Sequence, residues 1–142
     1  ILTKTMINNY AKNHLLPAPD KKKYSKEHLL LLIYIYYYKS ILSIGDIQSL
    51  LEPLTQRYFH KDGEMNMQSI YEEVFSLEKE QVEKMKQDVT EKYETASRIF
   101  PEAEAEDQEF LRIFSFICLL SFDVYVKKQV IEKLIDELQK KS

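Results

Sequence analysis

Glycine and cysteine are scarce in this sequence, and their scarcity excludes several kinds of protein. Only two glycines occur in 142 residues, so glycine-rich phosphate-binding loops and tight glycine turns are not expected. The single cysteine, Cys118, excludes an internal disulfide framework and indicates a reducing compartment, so we predict a cytoplasmic protein. Because Cys118 lies within an apolar run, we interpret it as a small core residue rather than a reactive thiol.

Long apolar runs are also missing. The two longest, Leu29–Ile44 and Phe110–Val126, are both shorter than the roughly 20 residues that a membrane-spanning helix needs. Both contain charged residues, and no basic stretch precedes an apolar core as it does in a secretory signal. We therefore interpret both runs as buried helices and predict no membrane association.

The patterns of catalytic and metal sites are weak or missing. There is no nucleophile elbow, and the three histidines have no metal-ligand spacing, so we predict no enzyme activity and no cofactor. His60, Asp62 and Glu64 alternate and offer ligand types for a divalent ion, but a solvated loop is the simpler interpretation. We predict no metal site.

Charge is distributed unevenly along the chain. Residues 1–60 carry eight Lys and Arg against four Asp and Glu, a net charge of +4. The remaining residues carry 12 basic against 19 acidic side chains, a net charge of −7. A basic N-terminal segment on an acidic body is typical of a nucleic-acid-binding domain joined to a partner domain.

Apolar periodicity predicts an all-α protein, with one possible exception in a tiny β-hairpin around Asp20–Lys23. The expected helices are Thr3–Asn13, Ser25–Ser40, Ser43 to just before Pro53, Asn66–Ile99 and Ala103–Gln139. Thr3, Ser25 and Ser43 are the expected N-caps. We predict two domains, an N-terminal head at residues 1–55 and a helical dimerisation or effector body at residues 64–142.

The tyrosine cluster of residues 34 and 36–38 has two interpretations. Exposed tyrosines can stack on nucleic-acid bases, but consecutive helical residues point about 100° apart and cannot form one open face. We expect core packing with hydroxyl groups that reach the surface.

The first predicted helix and the charged turn after it have the residue types that DNA recognition needs. Lysines neutralise phosphates, while asparagine and threonine form hydrogen bonds to phosphates or base edges. The candidate DNA-binding residues are Lys4, Thr5, Asn8, Asn9, Lys12, Lys21, Lys22 and Lys23. The simpler alternative is a surface helix beside a solvated charge run.

Three segments resemble the MerR family in order and approximate spacing. Thr3–Pro17 resembles that family's second helix and its exit into the wing, with Leu15-Leu16-Pro17 on its leucine-leucine-proline. Tyr24–Leu29 resembles the tyrosine-serine-x-glutamate-aspartate-leucine after the wing, and Leu42–Leu51 resembles the following helix start. More closely, the whole chain is similar to a bacterial family of MerR-like proteins whose function is unknown.

This resemblance implies a winged helix-turn-helix head and a regulatory role, without naming an effector or a target. The family's first helix would then lie upstream of Ile1. The chain departs from the family at Asn8 and Asn9, which replace phosphate-binding arginine and tyrosine, and its wing is shorter.

We therefore predict a sequence-specific DNA-binding transcription regulator of the MerR-like type. The alternative is a protein-interaction or adaptor module that keeps the winged-helix scaffold without binding DNA. Because the last predicted helix is more apolar than one neighbouring helix can cover, we also expect a homodimer.

Overall fold

The computed structural model describes residues 2–141, and the all-α prediction is confirmed. Helices make up the regular structure of this range, with one isolated antiparallel bridge between Asp20 and Lys23. The helices are α1 (Lys4–Lys12), α2 (Lys26–Tyr38), α3 (Ile44–Tyr58), α4 (Met67–Ser76), α5 (Glu78–Arg98) and α6 (Ala105–Lys140). None of them combines the length and apolarity that a transmembrane segment requires.

The three predicted N-caps are confirmed. Thr3 Oγ1 accepts from the backbone N–H of Met6 at 3.1 Å, and Ser43 Oγ accepts from that of Asp46 at the same distance. Ser25 caps α2. Each hydroxyl satisfies one of the backbone donors that have no partner within the helix, which fixes where the helix begins.

Helix α2 lies at the centre of the first compact unit, as its apolar sequence predicts. Leu31 and Ile35 are fully buried, and the residues on either side of them pack into two neighbouring apolar clusters. Of the four clustered tyrosines, Tyr34 is buried, whereas Tyr36 and Tyr37 are about half exposed. Tyr34 packs edge-on against Tyr71 of α4, as expected for a core residue.

The prediction that the third helix ends before Pro53 is wrong. Helix α3 continues through Pro53 to Tyr58, although proline cannot donate the backbone hydrogen bond expected at its position. Leu51 is buried, and Leu54 and Tyr58 pack against the apolar clusters. Burial of these side chains on both sides of Pro53 offsets the local cost of the proline.

The segment predicted as one helix over Asn66–Ile99 is two helices, with a break at Leu77. Asn66 caps α4 by accepting from the Ser69 backbone N–H at 2.9 Å. Met67 is fully buried, and Tyr71 and Phe75, which follow at intervals of four residues, pack against the clusters of the first unit. Helix α5 belongs to the second unit.

The chain forms two compact units, with divisions after Phe75 and after Val130. The first comprises Ile1–Phe75 together with Ile131–Ser142, and the second comprises Ser76–Val130. The last turns of α6 belong to the first unit, because Ile135 is buried in the same cluster as Leu15, Ile35 and Leu51.

In the second unit, α5 packs against the part of α6 that ends at Val130. Residues 99–104 connect the two helices. Ala96 is buried, and the Tyr93 ring meets Phe116 edge-on at 5.5 Å between centroids. Cys118 is partly buried here. Many other apolar side chains of α6 stay exposed.

Candidate nucleic-acid interface

Helix α1 presents one polar face to solvent. Ile7 and Tyr10 pack against the apolar clusters and anchor the opposite side of the helix. The exposed residues fall within about 140° of the helix circumference at 100° per residue. We call them the α1 polar face: Lys4, Thr5, Asn8, Asn9 and Lys12. All five residues were candidates from the sequence.

The three candidate lysines after α1 lie in a two-residue hairpin turn, which we call the lysine turn (Asp20–Lys23). The backbone N–H of Asp20 donates to the Lys23 carbonyl at 2.9 Å, and the Lys23 N–H donates to the Asp20 carbonyl at 2.9 Å. Lys21 and Lys22 have φ of 49° and 66°, the positive values that a type I′ turn requires at both central positions. The turn is therefore closed by one isolated bridge, and no strand occurs within residues 2–141.

Lysine is a costly residue for these two positions. The left-handed region costs a residue with a Cβ atom about 1–2 kcal/mol, and Asn-Gly is the favoured pair in type I′ turns. Both lysine side chains are exposed. Backbone strain of this kind is concentrated at functional positions of proteins.

His28 fixes the loop that joins α1 to the lysine turn. Its ring is 1% exposed, and its Nδ1 accepts from the Ser25 backbone N–H at 3.0 Å. The ring proton therefore sits on Nε2, which donates to the carbonyls of Pro17 at 3.1 Å and Ala18 at 3.2 Å. One side chain thus completes the capping box of α2 and holds the preceding loop against it.

The sequence interpretation did not identify His28 as part of the cap of α2, and named only Ser25. The Glu27 carboxylate accepts from the His60 backbone N–H at 2.8 Å and from His60 Nδ1 at 2.7 Å. The missed signal was spacing, since a serine followed three residues later by a hydrogen-bonding side chain is the capping-box pattern.

The alternating His60, Asp62 and Glu64 do not form a metal-binding group. His60 Nδ1 is engaged by Glu27, and no cluster of three His, Cys, Asp or Glu side chains within residues 2–141 has a geometry that could hold a metal ion.

The electrostatic character of the N-terminal segment is one-sided. Residues 1–26 contain six lysines and a single carboxylate, that of Asp20. All six lysines are exposed, and no ion pair joins any of them to an acidic residue within the described part of the chain. Their ammonium groups are available to an external anion.

The α1 polar face and the lysine turn are close enough to contact one polyanion together. Lys21 follows Lys12 by nine positions, so their Cα atoms are at most about 32 Å apart even if that segment were fully extended. One turn of duplex DNA rises about 34 Å. Helix α1 has nine residues and is about 13 Å long, and the diameter of a helix with its side chains, about 10–12 Å, suits a groove about 12 Å wide.

The sequence model of a family described as "Domain of unknown function (DUF1836)" matches residues 1–74. This range contains α1, α2, α3 and most of α4, and therefore every residue of the α1 polar face and the lysine turn. Helices α5 and α6 lie beyond it. No curated protein and no solved structure matches the chain.

Proposed function

We propose that this chain, which belongs to the family described as Domain of unknown function (DUF1836), is a DNA-binding transcription regulator of the MerR-like type. One observation carries the proposal. Residues 1–26 contain six exposed lysines, which have no ion-pair partner among the described residues, and only one carboxylate. The MerR resemblance of residues 3–51 supports the same role, with α1 as the recognition helix and the lysine turn as a short wing.

The proposed interface divides phosphate contacts from base contacts. Lys4 and Lys12 lie at opposite ends of α1, where they would reach the two backbones that border a major groove. Asn8 and Asn9 lie between them on the same face. An asparagine amide can donate to and accept from the edge of an adenine, so these two side chains would carry sequence preference.

The charge of this interface sets the expected salt dependence. Each phosphate neutralised by a lysine releases counterions, so the logarithm of affinity falls with the logarithm of salt concentration at about −0.9 per contact. If five or six lysines contact phosphates, the slope is about −5. A titration of duplex DNA at several salt concentrations measures it directly, and absence of binding even at low salt would refute the proposal.

The lysine turn permits a test in which loss of binding cannot be attributed to unfolding. The double substitution Lys21→Asn with Lys22→Gly installs the preferred type I′ pair and should raise the free energy of unfolding by about 1 kcal/mol. It also removes two ammonium groups. We expect weaker binding to all DNA sequences alike and a salt slope shallower by about two.

The matched control is Lys79→Asn with Lys133→Asn, which makes the same change in net charge at exposed lysines of α5 and α6. Its salt slope should equal that of the unmodified protein. An unchanged slope in the turn variant, with DNA binding intact, would contradict a role for the lysine turn.

A protein-interaction module without DNA binding is the second candidate function. The exposed apolar side chains of α6 favour it, because such a surface needs a partner. The titration above separates the two functions, since an interaction module alone gives no salt-dependent DNA affinity.

A further inference from the structure

Two of the three arginines in the chain line one cleft in the second unit. Of the 20 basic side chains, only Arg57, Arg98 and Arg112 are arginines, and the rest are lysines. Arg98 and Arg112 lie in the wall of a cleft of about 360 Å³, a volume within the usual range of small-molecule sites. We call it the arginine cleft, and it is lined by residues 97–101, Gln108 and Arg112.

Two hydrogen bonds fix the backbone at the end of the arginine cleft. The Ala103 N–H donates to the Phe100 carbonyl at 3.2 Å and closes a turn in which Pro101 is the second residue. Gln108 Nε2 donates to the Pro101 carbonyl at 3.0 Å and ties this turn to the start of α6. Gln108 and Arg112 are four residues apart, so they share one face of the helix. The wall that carries Arg112 is therefore held in place without a ligand.

The two arginines of the cleft differ in their partners. Arg98 is engaged by Glu94, since its Nε donates to the Glu94 carbonyl at 3.2 Å and its Nη2 lies 3.7 Å from the Glu94 carboxylate. Arg112 is partly buried, and its guanidinium has no ion-pair or hydrogen-bond partner within residues 2–141. Even Glu109, at a spacing that permits an ion pair on a helix, is not paired with it. The Arg112 donors are therefore available to an external acceptor.

The arginine cleft is positively charged although the unit around it is acidic. Residues 76–130 contain 12 acidic and eight basic side chains, but none of the acidic ones lines the cleft. The two guanidinium groups and the Glu94 carboxylate that pairs with one of them leave a net charge of +1. The acidic side chains of residues 102–109 are exposed, so solvent and salt screen them. The cleft therefore matches a ligand with a single negative charge.

We propose that the arginine cleft binds a small molecule that carries one carboxylate beside an aromatic group. The planar fork of donors on the Arg112 guanidinium matches both oxygens of a carboxylate, a geometry that a lysine ammonium does not offer. Phe100 and Ile99, which also line the cleft and are 49% and 41% exposed, would cover the aromatic part of the ligand.

The backbone conformation of Phe100 supports a ligand site at this place. Its φ is 57°, which is an outlier for a bulky residue, and strain of this kind is concentrated at ligand and active sites. The cleft lies beyond the range 1–74 that the family model matches, and it includes no residue of the α1 polar face or the lysine turn. Binding at the arginine cleft is therefore independent of the proposed DNA binding.

Titration of the full chain with benzoate, followed by ¹H–¹⁵N NMR, tests the site. A ligand of this size is expected to have a dissociation constant of about 1 mM, and the amide shifts should be concentrated in residues 97–112. Benzamide has the same shape without the charge, and acetate has the charge without the ring. Each should bind at least about tenfold more weakly than benzoate. Benzoate shifts that are as large at the lysines of residues 1–26, or equal affinity for acetate, would indicate an adventitious anion only and would overturn the proposal.

Matched arginine variants test which side chain holds the carboxylate. Arg112→Gln should weaken benzoate binding at least about tenfold with an unchanged helical circular dichroism spectrum. Arg112→Lys should weaken it less, because it keeps the charge and loses only the planar fork. Arg57→Gln makes the same change at the exposed arginine of α3 and should bind benzoate as the unmodified chain does. Equal benzoate affinity of Arg112→Gln and Arg57→Gln would overturn the proposal, and full affinity of Arg112→Lys would overturn the contact with both carboxylate oxygens.

Discussion

Replacement of His28 should separate two stabilising roles that one imidazole performs. His28→Ala removes both roles, the acceptor for the Ser25 N–H and the donor to the carbonyls of Pro17 and Ala18. His28→Gln keeps a side-chain acceptor at the third position of the helix, as in the usual capping box, but not the Nε2 donor. The difference between the two variants therefore measures the cap together with the cavity that alanine leaves.

The expected losses in the free energy of unfolding follow from the contacts of the His28 ring. Each buried polar group left without a partner costs about 1–3 kcal/mol, and removal of a ring that is 1% exposed leaves a cavity between Tyr24 and Phe59. We expect His28→Ala to lower the free energy of unfolding by about 3–5 kcal/mol. His28→Gln should lower it by about 1–2 kcal/mol, mainly through the loop carbonyls.

Urea unfolding followed by circular dichroism at a helix band measures both values. Lys26→Ala, at the neighbouring exposed position of α2, is the control and should change stability by less than about 0.5 kcal/mol. Hydrogen exchange adds a local measurement. In His28→Gln the amides of Asp20 and Lys23 should exchange faster, while the amide of Ile35 in the core should keep its protection.

Three results would contradict this reasoning. A loss below about 1 kcal/mol for His28→Ala would mean that water or a rearranged loop satisfies the freed groups. Equal losses for the alanine and glutamine variants would mean that the cap contributes nothing. Unchanged hydrogen exchange at Asp20 and Lys23 in His28→Gln would mean that His28 does not stabilise the lysine turn.

Further predictions concern pH, the helices and base contacts. Burial, then the neighbouring Tyr38 and Tyr71, raises the pKa of Tyr34 above its ordinary value of 10.0. Tyr34 ionises at lower pH in the unfolded chain than in the folded protein. The stability that neutral Tyr34 contributes is therefore complete below pH 10 and is lost as pH rises further. Tyr34→Phe should make the free energy of unfolding, measured in urea, depend less on pH above 10. Pro53→Ala should stabilise the protein by about 1–3 kcal/mol in urea unfolding, and a loss would contradict our view that the proline is a local cost. Ser43→Ala should destabilise it by about 1 kcal/mol, and no change would exclude a cap. Asn8→Ala should alter the preferred sequence in a binding-site selection, whereas uniform weakening would indicate phosphate contact.

The features that depend on a few neighbouring residues were predictable from the sequence. Thr3 and Ser43 cap helices through hydroxyls that bond three residues ahead, and the polar and apolar faces of α1 follow from its periodicity. The eight candidate site residues are all exposed. Whether they bind DNA depends on a partner, and stays a prediction.

The features that depend on distant residues were not predictable. Proline usually ends a helix, but at Pro53 the packing of Leu54 and Tyr58 against the core outweighs its local preference. Nothing near Ile131 indicates that α6 returns to the first unit, because that contact joins residues more than 100 positions apart, such as Leu15 and Ile135. Lysine is rare at positive φ, so composition gave no sign of the conformation at Lys21 and Lys22.

The return of α6 to the first unit has a consequence for synthesis on the ribosome. N-terminal domains ordinarily fold while the rest of the chain is still being made. Here the cluster that buries Leu15, Ile35 and Leu51 also needs Ile135, so the unit stays unfinished until the last helix has emerged. A nascent chain halted after residue 75 should therefore be protease-sensitive, and the cluster beneath the α1 polar face would be complete only after Ile135 has emerged.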